Sequence, residues 1–152
     1  MQSASLAGKR VLVTHADAFM GPVLCEVFRE QGATVIASAL PLLAPDEPAK
    51  LLAEAGHVDV LVANLAIEAP TTPVTGADDQ EWGAVFDALV TPLPRLVRAV
   101  LPQMIERRAG KILVMGSASA LRGIKRASTY SAARGAQLAY VQSAGVELAP
   151  HN

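Results

Sequence analysis

The sequence predicts an α/β fold, a doubly wound parallel sheet with helices on both faces, as a single domain over residues 1–152. Three observations predict it. Short β-branched or leucine-rich runs alternate with helical patterns in the order βαβαβαβα. The strand candidates are apolar continuously rather than at every second residue, as expected when helices bury both faces of a sheet. With 152 residues, 51% of them hydrophobic and 18% charged, the chain can bury a substantial core.

The first run, "RVLVTH" (10–15), reads as a strand, and "GPVLCEVFREQG" (21–32) as the helix after it, with Pro22 near its start and Gly32 at its end. "ATVIAS" (33–38) is the second strand. "DEPAKLLAEAG" (46–56) is a helix that follows the proline-marked loop "ALPLLAPDEP". The stretch between Ser38 and Val58 is short for this architecture, so a helix or strand is expected to be absent there. "VDVLVAN" (58–64) is the third strand, and a long helical region spans about 78–108 after the loop "EAPTTPVTG". Pro92, Pro94 and Pro102 are expected to kink or break that region, because proline lacks the N–H of the helical ladder. "KILVMGS" (111–117) is the fourth strand, and a final helix runs over about 131–148, with Tyr130 and Arg134 at its beginning. That helix ends in "APHN" with no further strand to cover it, so the domain is expected to be incomplete at its C-terminal end.

Thirteen basic residues against fourteen acidic, a formal net charge of -1, give no positive field for nucleic acid or an anionic membrane. No apolar segment is long enough for a signal peptide or a membrane span, and a cytoplasmic location is expected. The single Cys25 lies in an apolar run and reads as a small core residue. His15, His57 and His151 have no metal-ligand spacing and read as structural or exposed. Trp82 reads as a packing residue, and "ERRAGK" (106–111) as the basic end of a helix and its turn.

The ordered set "GKRVLVTHADAFMG", "VDVLVANLA", "GKILVMGSASALRG", "STYSAAR" and "ELAPHN" resembles the short-chain dehydrogenase/reductase superfamily over essentially the whole chain. The resemblance implies a Rossmann-like doubly wound sheet that here lacks the last strands of the family. Several positions depart from the redox-active pattern. The nucleotide loop Thr-Gly-x-x-x-Gly-x-Gly reads "THADAFMG", with His15 and Phe19 at the first two glycine positions and only Gly21 retained. "ATVIASALPLL" lacks the charged residue that commonly reads the adenosine ribose. "ANLA" replaces Asn-Asn-Ala-Gly, Leu89 aligns with the tetrad asparagine, and Arg134 stands where lysine is usual. Those departures resemble the halohydrin dehalogenase branch, whose motifs Thr-x4-Phe/Tyr-x-Gly and Ser-x12-Tyr-x3-Arg are met by Thr14, Phe19, Gly21 and by Ser117, Tyr130, Arg134.

What that branch implies is a lyase that needs no nicotinamide. Tyr130 takes the proton of a vicinal haloalcohol, halide leaves and an epoxide forms, or a small anion opens the epoxide in reverse. Ser117 positions the substrate oxygen. Arg134 supplies the fixed cation that lets a phenol, with its ordinary pKa of about 10, act as a base. Thr14, Phe19 and Gly21 lie at the halide and substrate pocket, and the assembly is a homotetramer or dimer. The alternatives are an oxidoreductase dependent on NADP or NAD, and a non-catalytic subunit or fragment of the same fold. At the level of single residues, Tyr130 and Arg134 also suit a plain i, i+4 helix pair, Phe19 a core anchor, and Thr14 a turn-stabilising hydroxyl, while Ser119, Ser128 and Ser131 are alternatives to Ser117 that lack the family spacing.

Overall fold

The computed structural model describes residues 6–151. Each expected strand is present, trimmed to four residues: β1 (Arg10–Val13), β2 (Thr34–Ala37), β3 (Val60–Ala63) and β4 (Lys111–Val114). At the strand ends polar side chains join the backbone bonding between neighbouring strands. Thr14, for example, donates from both its N–H and its hydroxyl to the Val62 carbonyl, and its oxygen accepts from the Asn64 N–H.

The strands form one parallel sheet in the order β2-β1-β3-β4, with Leu12 facing Ile36 on one side and Leu61 on the other. The continuous apolar runs divide by the two-residue period of a strand. Val11, Val13, Val60 and Val62 point to one face, where they meet Cys25, Leu24 and Phe28 of helix α1 (Gly21–Glu30). Leu12, Leu61 and Ala63 point to the other and enter the larger core. There they meet α2 (Glu47–Ala55), α3 (Asp79–Leu89), α4 (Pro92–Arg107) and α5 (Ser128–Leu148). Helices on both faces were the expectation, and they are found. The α1 face is only partly covered among the described residues: Leu113 on β4, in register with Val62, is 45% exposed.

The helical region after residue 78 is two helices, and the prolines act differently from one another. The break lies at Val90 and Thr91, whose N–H groups both bond the Phe86 carbonyl. Pro92 then opens α4, where a missing N–H costs nothing. Pro102 sits inside α4 without ending it. The last helix begins at Ser128, three residues before the expected 131, so Tyr130 lies in its first turn. Between β2 and β3 there is a loop and the single helix α2, which leaves β2 at a sheet edge.

The connection from β1 runs outward to β2, and the chain returns across β1 to β3. The sheet therefore changes direction between β1 and β3, and a crevice opens above their carboxyl ends. The described residues include no helix long and apolar enough to cross a membrane.

Candidate active site

The loop from Thr14 to Gly21 stands over that crevice. Its backbone is left-handed at His15 (φ 43°) and Phe19 (φ 53°), a conformation that costs an L-residue roughly 1–2 kcal/mol each. What holds it is Asn64, buried at the end of β3, whose side-chain amide donates to the His15 carbonyl at 2.9 Å and the Ala18 carbonyl at 3.0 Å. His15 returns a contact from its Nδ1 to the Asn64 carbonyl oxygen, 3.2 Å away. Gly21 opens α1 so close beneath the loop that a Cβ there would come within 2.4 Å of the His15 carbonyl oxygen. Glycine is required at this position for packing.

Ser117 follows β4 and caps the 3-10 turn Ala118–Ala120. Its Oγ accepts from the Ser119 N–H at 3.2 Å and from the buried Ser119 hydroxyl at 3.0 Å. Tyr130 is half-buried on α5, and Arg134 one turn later is only 1% exposed. The guanidinium makes four hydrogen bonds: Nε donates to the Tyr130 hydroxyl at 3.0 Å, Nη1 to the Met115 carbonyl at 2.7 Å and to Gln137 Oε1 at 3.0 Å, and Nη2 to the Leu65 carbonyl at 3.2 Å. Its central carbon lies 5.4 Å from the centre of the Phe19 ring and 5.0 Å from that of Tyr130. Among the described residues it has no carboxylate partner. A buried, uncompensated cation is costly unless carbonyl dipoles and π-faces surround it, and here both do.

The expected residues are thus partly gathered. Phe19, Tyr130 and Arg134 cluster around one guanidinium, and Ser117 shares with Arg134 a cavity of about 160 Å³. Ser117 and Tyr130 are not hydrogen-bonded to each other. Thr14 is wholly buried with its hydroxyl committed to β3, and Gly21 sits below the loop. Cys25 is a core thiol, pushed up in pKa by burial against the weaker opposing pull of Arg29. Exposed His57 pairs with Asp59 at 3.0 Å, and Trp82 stacks on Phe86. No group of three His, Cys, Asp or Glu able to hold a metal occurs among the described residues.

A family model described as short chain dehydrogenase matches residues 46–152. The chain belongs to that family. The 3-oxoacyl-[acyl-carrier-protein] reductase FabG of Vibrio harveyi is 29% identical, the match covering 95% of this chain and 69% of that protein. The Escherichia coli K12 reductase of the same name is 28% identical over 93% of this chain and 68% of its own length. Among solved structures, a dehalogenation enzyme superposes with a TM-score of 0.87 at 28% identity, covering 96% of this chain and 69% of its own. A Brucella melitensis 3-ketoacyl-(acyl-carrier-protein) reductase complexed with NADH gives 0.90 at 22% identity, covering 97% and 73%.

The expectation of a lyase that needs no cofactor is corrected by those matches: the family is one of dehydrogenases, and its similar members are named reductases. The crevice itself suits a dinucleotide better than the missing glycines suggested. The loop keeps the left-handed bends that glycine would ordinarily supply, and Gly21 brings the start of α1 against it. Asn64 Oδ1 is buried there with no hydrogen-bond donor among the described residues, an acceptor suited to a ligand hydroxyl. The Phe19 side chain, 52% exposed and set against Arg134, stands in the crevice.

Three contributors escaped sequence reasoning. The Asn64 side chain was visible only as a strand's end, Ser119 as a rival to Ser117, and Gln137 not at all. The available signal for Gln137 was its spacing, three residues after Arg134 on one helix.

Proposed function

We propose that this chain is a nicotinamide-dependent short-chain oxidoreductase in which Tyr130 exchanges a proton with a carbonyl or hydroxyl oxygen of a small substrate. The observation that carries the reading is the 3.0 Å bond from the buried Arg134 to the Tyr130 hydroxyl. A guanidinium N–H held at the phenol oxygen is placed to stabilise negative charge that develops there as a proton is transferred. Arginine suits the task because it keeps its charge at any pH and its planar fork reaches several acceptors at once.

Ser117, just beyond the carboxyl end of β4, hydrogen-bonds the substrate oxygen and holds it for Tyr130. Its oxygen accepts from the Ser119 N–H, and its hydroxyl hydrogen can turn to the substrate when the Ser119 hydroxyl donates. A nicotinamide, when bound, supplies or accepts the hydride. The loop backbone between Thr14 and Gly21, the start of α1 and Asn64 would hold it, and Tyr130 balances the charge on the substrate oxygen. The named relatives suggest 3-oxoacyl compounds as the first substrates to try.

A second reading has its own support in the Phe19 ring beside Arg134 and in the similarity to a dehalogenation enzyme. Here Tyr130 takes the hydroxyl proton of a vicinal haloalcohol, the oxygen closes on the neighbouring carbon, and halide departs as an epoxide forms. One experiment separates the readings. The protein is supplied with NADPH or NADH and a panel of 3-oxoacyl thioesters and small ketones, and separately with vicinal chloro- and bromoalcohols. Absorbance at 340 nm is followed in the first case and halide in the second. The main reading expects nicotinamide oxidation that Tyr130→Phe reduces at least about a hundredfold, as loss of a general acid does. Halide release without any nicotinamide oxidation would reject it in favour of the second.

A further inference from the structure

Gln137 lies three residues beyond Arg134 on α5 and is only 1% exposed. Burying a carboxamide is unfavourable unless both of its ends are bonded, and both are. Oε1 accepts from Arg134 Nη1 at 3.0 Å, and Nε2 donates to the Leu89 carbonyl at 2.6 Å. The amide orientation is unambiguous. Arginine has no acceptor and a carbonyl has no hydrogen, so only one of the two flips satisfies both neighbours.

The far end of this bridge is chemically special. Leu89 is the last residue of α3, and the final carbonyls of a helix have no partner within it and carry the negative end of its dipole. A continuous chain of bonds therefore runs from the α3 terminus through Gln137 and Arg134 to the Tyr130 hydroxyl. Each bond polarises the next.

The neutrality of the link matters as much as its shape. The other neighbours of the guanidinium are two backbone carbonyls, a phenol and the Phe19 ring, none of them charged in the resting site. A carboxylate at position 137 could accept from Nη1 equally well. It would also compensate the positive charge that faces Tyr130, and it would set its second oxygen against the Leu89 carbonyl. An apolar residue would leave the carbonyl and one guanidinium N–H unpaired.

We propose that Gln137 is a positioning residue that anchors Arg134 to the end of α3 without neutralising it, so that the full positive charge acts on the Tyr130 hydroxyl. This rests on the proposed role of Tyr130 and extends it to a residue that touches no substrate.

The test uses the fact that the chain has only two tyrosines. In a Tyr140→Phe background, phenolate absorbance near 295 nm reports Tyr130 alone. Tyr140 is itself pushed up by burial, an effect that Arg98 opposes and Glu147 adds to. Titrations of that protein and of its Gln137→Glu, Gln137→Met and Arg134→Met derivatives are compared below the alkaline unfolding transition seen by circular dichroism. The expected result is that Gln137→Glu and Arg134→Met both displace the phenolate curve to higher pH. Gln137→Met, near-isosteric and uncharged, displaces it less than either. A Gln137→Glu curve that overlays its parent while Arg134→Met is displaced would overturn the role of Gln137 and leave that of Arg134 intact. An undisplaced Arg134→Met curve would overturn both. Should Gln137→Glu fail to fold, Gln137→Met decides the matter through nicotinamide oxidation. A lowered kcat with the basic limb of its pH profile moved supports positioning, whereas an unchanged profile overturns it.

Discussion

Replacing Arg134 with lysine keeps the charge and tests whether the fork geometry matters. The guanidinium makes four hydrogen bonds of 2.7–3.2 Å, to Tyr130, Met115, Gln137 and Leu65. A lysine ammonium has three donors radiating from one atom, so at least one of the four acceptors must go without. Because those acceptors lie beyond the ends of β3 and β4 and one turn either way along α5, losing two is the expected outcome. At a net value of about 1–1.5 kcal/mol per bond, Arg134→Lys should destabilise the fold by roughly 2–3 kcal/mol. For a domain of this size that corresponds to a fall in Tm of about 4–12 °C. Urea unfolding followed by Trp82 fluorescence measures it. The midpoint should fall with the slope unchanged, because the surface exposed on unfolding stays the same. A variant within 0.5 kcal/mol of the parent would refute the reasoning, and would mean that a point charge alone satisfies this site. Arg134→Met, which also removes a buried charge, gives the comparison needed to separate charge from geometry.

Gly21→Ala should cost at least about 2 kcal/mol, since its Cβ would lie 2.4 Å from a backbone oxygen that only a shift of the whole loop can move; thermal unfolding reads the loss. Phe19→Gly, by removing the ring that stands in the crevice and matching the left-handed backbone, should raise NADPH or NADH affinity about tenfold, equivalent to 1.4 kcal/mol, as measured by nicotinamide fluorescence. Asp59 gives a pH-dependent case. Burial alone would raise its carboxyl, but the Arg10 backbone N–H, then His57 and Lys9, together hold it below the ordinary carboxylate value. A group lowered on folding contributes stability in full above its unfolded value, about 3.9, and loses it as pH falls through the lower folded value. The parent should therefore lose Tm below about pH 4 more steeply than Asp59→Asn, and parallel curves between pH 5 and 2.5 would contradict the assignment.

The fold was legible where burial alone wrote it. Val11 to Val13 and Val60 to Ala63 are apolar at consecutive positions because helices wait on both sides, and no long-range information is needed to see this. The break in the long helical region was legible from its prolines and falls at Val90 and Thr91, just before Pro92, whereas Pro102 is a tolerated interior residue and the sharing of the Phe86 carbonyl by two N–H groups could not be read from the sequence. The same division holds at the site. The Ser117, Tyr130 and Arg134 spacing could be read directly. The expectation of no cofactor rested on the likeness to a branch that needs none and on a loop short of glycines; the backbone shape that glycines would ordinarily supply is set here by Asn64, from another strand. Leu89 drew notice for the side chain that it lacks, yet it is the backbone carbonyl of Leu89 that reaches the site.

The Asn64 amide bridge has one more implication. A loop whose curvature depends on its own glycines loses that curvature when they mutate, so its outward-facing positions are closed to change. Here the curvature is imposed from beneath, through the two carbonyls of His15 and Ala18. The outward side chain at position 19 is thereby released from keeping the loop in shape, and can be exchanged to alter what the crevice admits. The site resembles an interchangeable fitting on a fixed mount, open to gradual change of specificity, by evolution or by a protein engineer, without rebuilding the sheet below.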